Sequence, residues 1–136
     1  MRATGTFTTR DFAPAPVDPQ PPIRAALDLS VATMAKEYHG AVEGRSATIF
    51  TSAFDPERGV GTYVAMEAFE GTLDGREGTF AFAHSASTSG VDRSHEFFLI
   101  VPESGTRALA GISGTGWLVI DDDGTHHMTF DYTLDG

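Results

Sequence analysis

The feature that most constrains the fold of this 136-residue sequence is an apolar–polar alternation with a period of two, which recurs along nearly the whole chain. Alternating, β-branched and aromatic segments of strand length are typical of β-strands. The segments are Thr4–Phe12, Ala25–Val31, Thr48–Thr51, Thr62–Met66, Thr79–Phe82, Phe97–Val101, Trp117–Ile120 and Met128–Tyr132. Because no segment has a sustained helical period, the pattern predicts an all-β fold of about eight antiparallel strands.

Turn-forming residues separate these segments at regular intervals, including Asp74-Gly75, Ser89-Gly90 and Asp123-Gly124. The proline-rich stretch 13–22 is too short to be a domain linker, so we interpret it as a loop across one end of a barrel. The stretch 103–116 is also irregular, and we expect at most a turn or two of helix near Ser104–Leu109. We therefore predict that residues 1–136 form one domain, a single eight-stranded antiparallel barrel.

The charge balance excludes several classes of partner. The formal net charge is −10, and there is no cysteine. A chain this acidic has no basic stripe for nucleic acid or for an anionic membrane surface. The absence of cysteine excludes disulfides, thiolate catalysis and cysteine-ligated zinc. With no apolar run of membrane-spanning length and no signal pattern, the expected location is the cytoplasm.

The hairpin around Asp74-Gly75 predicts the strongest candidate site. An Asp-Gly pair favours a two-residue turn, which fixes the register of both strands. In that register Glu67 and His84 are diagonal neighbours on one face, within side-chain reach. The same face carries the aromatic residues Tyr63, Phe69, Phe80 and Phe82. A carboxylate and an imidazole among aromatic side chains suit general acid–base catalysis, and the alternative is a buried, satisfied pair without turnover.

Two neighbouring hairpins give weaker signals. A five-residue loop at 89–93 would place Glu96 on the face of His84, whereas a four-residue loop would place His95 there. His126 and His127 are adjacent in a strand and point to opposite faces, so we interpret them as a polar rim rather than a metal site. With Asp123-Gly124 as the turn, His126 would lie opposite Asp121.

The glycine-rich segment 111–116 does not indicate a nucleotide site. A P-loop needs Gly-Lys-Ser/Thr before a helix. This segment contains no lysine, and we expect a strand rather than a helix after it. We predict neither a metal nor a cofactor.

Several motifs together resemble a bacterial family that is known only as a domain of unknown function. In order, they are Gly5-Thr6-Phe7, Gly40-x-x-Glu43-Gly44, Glu67-x-x-Glu70-Gly71-Thr72-Leu73-x-Gly75-Arg76-x-Gly78-Thr79-Phe80, His84, Val101-Pro102-x-Ser104-Gly105-Thr106, Leu109-Ala110-Gly111, Gly114 and Asp131-Tyr132. The resemblance implies an eight-stranded barrel of the allene-oxide-cyclase-like (lipocalin-like) type, often self-associated, with no established reaction. Where family members commonly have Gly after Ser-Gly-Thr, this chain has Arg107.

The barrel and its aromatic face predict the binding of a small hydrophobic or aromatic molecule inside the barrel. One alternative is a cofactor-free isomerase or cyclase in which Glu67 and His84 transfer protons. A second alternative is a non-catalytic, oligomerising structural protein. The expected ligand-contacting residues are Tyr63, Phe69, Phe80, Phe82, Glu96, Phe98, Trp117, Phe130 and Tyr132.

Two strand segments are apolar on both faces. Phe80 and Phe82 alternate with Ala81 and Ala83, and the run Phe97–Val101 is apolar throughout. A single-layer barrel exposes one of these faces to water unless another chain covers it. We therefore predict a homo-oligomer.

Overall fold

Eight antiparallel strands close into a ring in the computed structural model, which describes residues 1–135. The strands are β1 (Arg2–Ala15), β2 (Leu29–Gly40), β3 (Val42–Asp55), β4 (Val60–Leu73), β5 (Arg76–Ser89), β6 (Arg93–Ile100), β7 (Ser113–Ile120) and β8 (His126–Thr133). Each strand pairs with its neighbour in sequence, and β1 pairs with β8. A single 3₁₀ turn, Arg107–Leu109, is the helical element of the described residues, so the prediction of an all-β chain with almost no helix is confirmed.

The alternation of each strand divides the chain between the inside and the outside of the ring. On β5, Phe80, Phe82, His84 and Ala86 point inside the ring, while Ala81, Ala83 and Ser85 point outward. The largest buried side chains gather toward one end of the ring and form an apolar core. They include Tyr38, Val42, Phe69, Leu73, Phe80, Phe82, Ile100, Phe130 and Tyr132. We call this end the closed end, and the opposite end the open end.

The β6–β7 connection covers the closed end. Its side chains Leu109 and Ile112 are fully buried in the core. The Oγ1 atom of Thr106 lies 3.0 Å from the backbone nitrogen of Thr79, which donates to it and fixes the connection to β5. Arg107 has a φ of 53°, in the left-handed region that favours glycine, which gives a physical reason for the glycine commonly found there in the resembling family.

The ring is least regular between β6 and β7. The two strands pair only through Ile100 and Gly114, whereas β4 and β5 pair along their whole length. A Cβ atom on Gly116 would lie 2.8 Å from the ring of Phe98, so these strands approach through a glycine instead of a continuous ladder. The closed sheet is therefore a ring with one weakly paired position.

Two expectations about local structure are wrong. Residues 25–28 were expected in a strand, but β2 begins at Leu29. Arg24 donates to Asp28 at 2.7 Å, a contact that residues four apart in an extended strand cannot make. The last hairpin has the loop 121–125, so His126 lies opposite Ile120 and not opposite Asp121. The backbone bond from Asp121 to Thr125 closes this longer loop.

No helix within residues 1–135 is long and apolar enough to cross a membrane.

Candidate functional site

The Asp74-Gly75 turn sets the register that builds the site. Leu73 pairs with Arg76, and the same register continues along both strands to Ala65 and His84. As predicted, Glu67 and His84 are diagonal neighbours inside the ring, with 3.1 Å between Glu67 Oε1 and His84 Nε2. The two-residue turn was therefore sufficient to bring this pair together.

Glu67 is almost completely buried, at 1% exposure, and four side chains donate to its carboxylate. Lys36 Nζ lies 2.8 Å from Oε1 and shares that oxygen with His84. Tyr38 and Ser46 each donate a hydroxyl to Oε2 at 2.5 Å. Burial alone would raise the pKa of Glu67, but the hydrogen bond from His84 and the charge of Lys36 outweigh it and lower that pKa to about 2. The carboxylate is a fixed negative charge at neutral pH.

The donors from β2 are arranged by alternation on that strand. Lys36 is 5% exposed, and its ammonium group lies 4.8 Å from the centre of the Phe7 ring. This contact adds a cation–π interaction to the ion pair. Burial, and then the neighbouring charge of Glu67, raise the pKa of Tyr38 well above its usual value. Tyr38 therefore remains a neutral donor.

Lys36, Tyr38 and Ser46 were absent from the predicted site. A signal for them exists in the sequence, because Lys36 occupies an inward position in the alternation that runs from Ala32 to Tyr38. A charged residue in such a position needs an anionic partner inside the ring. Glu67 is the carboxylate that provides it.

A second chain of hydrogen bonds leads from His84 toward the open end. Tyr63 Oη lies 2.9 Å from His84 Nδ1, and Arg93 Nη2 lies 3.3 Å from the same phenol oxygen. Arg93 also pairs with Glu96 at 3.1 Å. Burial opposes the charge of Arg93, but its hydrogen bonds to Tyr63 and Glu96 outweigh this and raise its pKa. The guanidinium therefore stays charged beside the phenol.

The ionised Glu67 determines the direction of these hydrogen bonds when the imidazole is neutral. A carboxylate only accepts, so Nε2 of His84 carries the ring proton and donates it. Nδ1 then has a lone pair and accepts from the hydroxyl of Tyr63. The phenol oxygen is left to accept from Arg93. Carboxylate, imidazole and phenol thus form one directed chain.

A cavity of about 730 Å³ occupies the ring between this chain and the open end. Its wall is mainly apolar and aromatic, and it includes Phe7, Met34, Phe50, Phe98, Leu118 and Met128. Lys36, His84 and Tyr63 also line it. Thr48 lines it as well, and its Oγ1 atom is buried without a hydrogen-bond partner among the described residues. A buried hydroxyl that lacks a partner is costly, so a polar group of a bound molecule is the natural complement.

The predicted ligand-contacting residues divide into two groups. Tyr63, Glu96, Phe98 and Trp117 line the cavity. Phe69, Phe80, Phe82, Phe130 and Tyr132 belong to the core at the closed end and do not line it. The period-two pattern assigned these residues to the inside, but it carries no information about depth along the ring.

The β5–β6 hairpin explains why Glu96, and not His95, lines the cavity. Thr88 pairs with Arg93, so the loop between the two strands is the four-residue loop 89–92. A bulge follows, in which His95 adopts a φ of 51°, and the extra residue restores Glu96 to the inner face. His95 is exposed on the outside.

The two adjacent histidines behave differently from each other. His126 lines the cavity and packs against Phe7 in a tilted arrangement, with 5.1 Å between the ring centres, while His127 pairs with Asp121 at 2.6 Å. Within residues 1–135 no group of three or more His, Asp or Glu side chains is arranged to hold a metal ion.

The comparisons with known proteins agree with this architecture. The model of a family described as "Protein of unknown function (DUF3224)" matches residues 3–132. The crystal structure of a protein with unknown function from that family, from Shewanella oneidensis MR-1, is 27% identical, with a TM-score of 0.81. The similarity covers 100% of this chain and 98% of that chain. No curated protein matches.

Proposed function

Because the chain belongs to the DUF3224 family, whose description assigns no activity, we propose a function from the site itself: the ring binds one small hydrophobic or aromatic molecule in its cavity. A single observation supports this most strongly. Within residues 1–135, the wall of a mainly apolar cavity of about 730 Å³ includes a buried hydroxyl, that of Thr48, without a hydrogen-bond partner. Ligand pockets for single small molecules are typically roughly 300–1,000 Å³ with a few placed polar groups.

The polar groups of the cavity wall suggest that the part of the ligand near Lys36 and Thr48 carries an oxygen. Lys36 has three N–H donors and gives one of them to Glu67. Thr48 lies opposite Glu67 in the adjacent strand, on the same inner face. A carbonyl, hydroxyl or carboxylate oxygen of the ligand would accept from these groups, while the aromatic wall would cover its apolar body.

The binding proposal is tested with the fluorescent dye 1-anilinonaphthalene-8-sulfonate, which has an aromatic body and an anionic oxygen group. Ala32 lies inside the ring on β2 and lines the cavity, and Ala35 lies on the same strand, outside it. We expect Ala32→Trp to fill the cavity and weaken dye binding at least about tenfold, and Ala35→Trp to leave it unchanged. Equal affinity for the wild type and Ala32→Trp would contradict the proposal.

A cofactor-free isomerase or cyclase is the second candidate, and the position of His84 favours it. The ring of His84 lines the cavity and contacts the ionised Glu67 through Nε2. An anionic partner stabilises the imidazolium that forms when His84 accepts a proton. This second proposal includes the likeness of the ring to the allene oxide cyclase barrel. Likeness of fold alone does not supply a reaction.

We also propose that a second copy of the chain covers part of the outer surface, which we call the neutral face. It consists of Ala47, Ile49, Thr51, Val64, Met66, Ala68, Ala81, Ala83, Ser85, Phe97 and Leu99. Ile49, Met66, Ala83 and Leu99 are direct cross-strand neighbours and form one apolar row across four strands. Since the chain has a net charge of −10, an uncharged face is where two copies can meet without opposing like charges.

A further inference from the structure

Tyr63 occupies the position where the buried hydrogen-bond chain meets the cavity. We propose that Tyr63 is the proton-exchanging group of this site, activated by His84, and that the cavity takes a carbonyl compound with an acidic C–H or enol O–H. This proposal rests on the proposed binding function and names the reactive group and the ligand class. His84 and Glu67 act through Tyr63 as positioning residues.

The geometry places Tyr63 between a base and a cation. Its phenol oxygen is 2.9 Å from His84 Nδ1, the nitrogen that accepts, and 3.3 Å from Arg93 Nη2. On the far side of the imidazole, Nε2 is 3.1 Å from the ionised Glu67. Enzymes commonly activate a hydroxyl group with this arrangement: the hydroxyl donates to a base, and a carboxylate on the far side of the base orients it.

The other two tyrosines of the chain lie in opposite surroundings. Tyr38 donates to the ionised Glu67, and burial and that negative charge raise its pKa well above the usual value. Burial and the hydrogen bond to Asp74 raise the pKa of Tyr132 to about 12. Tyr63 has the imidazole of His84 and the guanidinium of Arg93 as neighbours, and it lines the cavity. The geometry therefore selects Tyr63 among the three.

The proposed step transfers two protons and is balanced. A ligand C–H or O–H gives its proton to Tyr63 Oη, while the phenol proton moves to Nδ1 of His84. This leaves a ligand enolate and an imidazolium that faces the carboxylate of Glu67. The reverse transfer, to a different atom of the ligand, restores the protein and yields an isomer. No oxidant, reductant or co-reactant is consumed.

Benzenesulfonyl fluoride tests the activation of Tyr63 without knowledge of the natural ligand. The phenol oxygen attacks sulfur, an S–O bond forms, the S–F bond breaks with loss of fluoride, and His84 takes the phenol proton. We expect one sulfonyl group per chain, mapped to Tyr63 by peptide mass spectrometry, with Tyr38 and Tyr132 unmodified. Labelling should disappear in Tyr63→Phe and slow about 10²-fold in His84→Gln, which removes the base. Melting curves of both variants establish that they are folded.

A matched control separates activation by His84 from a general effect of replacing a histidine. His95→Gln changes a histidine that is exposed on the outside of the ring, and its labelling rate should equal that of the wild type. Equal rates for the wild type and His84→Gln, or labelling directed to Tyr132, would overturn the proposal.

Displacement of the bound dye by the reagent distinguishes this proposal from the binding function. If the reagent displaces 1-anilinonaphthalene-8-sulfonate but leaves Tyr63 unmodified, the proposed role of Tyr63 fails and the binding function stands. If neither the dye nor the reagent binds, both proposals fail. Should His84→Gln not fold, Arg93→Gln serves as the second variant, because it removes the cation that stabilises the phenolate, and unchanged labelling in it would contradict the proposal.

Discussion

Glu67 shows how a charged residue is accommodated inside a small β-ring. Four donors surround its carboxylate, and one of them is the charged side chain of Lys36, which is buried. A buried ion pair stabilises a fold only when further hydrogen bonds satisfy both partners. Here the remaining lone pairs of Glu67 receive hydroxyl and imidazole donors, and the ammonium group also faces the Phe7 ring. The carboxylate thus connects β2, β3, β4 and β5.

The low pKa of Glu67 predicts a specific loss of stability in acid. Its pKa is about 2 in the folded chain, against an ordinary value of 4.5, so its contribution to the free energy of unfolding is full above about pH 4.5 and is lost as the pH falls toward 2. At about 1.4 kcal/mol per pKa unit, the contribution is about 3 kcal/mol. Of this contribution, about 2 kcal/mol is lost between pH 6 and pH 3, and urea unfolding at these two pH values measures the loss.

The control for this prediction is a second glutamate on the same strand. Glu67→Gln should have a smaller difference in unfolding free energy between pH 6 and pH 3 than the wild type, because the titrating group is gone. Glu70→Gln, at an exposed position of β4, should keep the wild-type difference. If Glu67→Gln and the wild type lose the same free energy in acid, Glu67 is not the group responsible.

At the scale of elements, the β4–β5 hairpin demonstrates what local sequence can determine. The Asp74-Gly75 turn and the alternation of both strands were sufficient to predict the register and the contact of Glu67 with His84. The contribution of β2 was not predicted, because the strand was assigned too early in the chain, where Arg24 and Asp28 in fact form a local ion pair. Alternation also could not separate the cavity wall from the core, since both lie on one face.

Two glycines of this hairpin have different physical roles, and their alanine variants should differ. A Cβ atom on Gly71 would lie 2.1 Å from the carbonyl oxygen of Glu43, a backbone contact that cannot move aside cheaply. Gly75 has a φ of 82° and open space around it. We expect Gly71→Ala to cost more than about 3 kcal/mol and Gly75→Ala about 1 kcal/mol. Urea unfolding of both variants checks this, and similar costs for the two would refute the assigned roles.

At the scale of the whole molecule, the ring divides into a filled closed end and a hollow open end. Core aromatic residues and the side chains Leu109 and Ile112 fill the closed end, where they secure the strands. Smaller residues such as Ala32, Ala65 and Ala86 line the cavity nearer the open end and leave space. The same alternating pattern thus yields both a core and a cavity, depending on side-chain volume.

The neutral face predicts self-association that one added charge should disrupt. Met66 lies in the apolar row across this face and is 51% exposed. We expect sedimentation velocity to show a dimer or larger species of the wild type at micromolar concentration. Met66→Glu should be monomeric, because two copies would then bring buried carboxylates together. Thr8 is exposed on β1, away from this face, and Thr8→Glu should associate like the wild type. A wild type that stays monomeric at all concentrations would disprove the association.

The methionines allow the most direct test of binding inside the ring. Two of the four, Met34 and Met128, line the cavity, whereas Met66 is exposed on the outside and Met1 lies at the N-terminus. We would titrate 1-anilinonaphthalene-8-sulfonate into protein labelled with ¹³C at the methionine methyl groups. Binding in the cavity predicts saturable shifts of the Met34 and Met128 methyl signals, with those of Met66 and Met1 unchanged. Shifts confined to Met66 would place the dye on the outer face and contradict the function proposed for the ring.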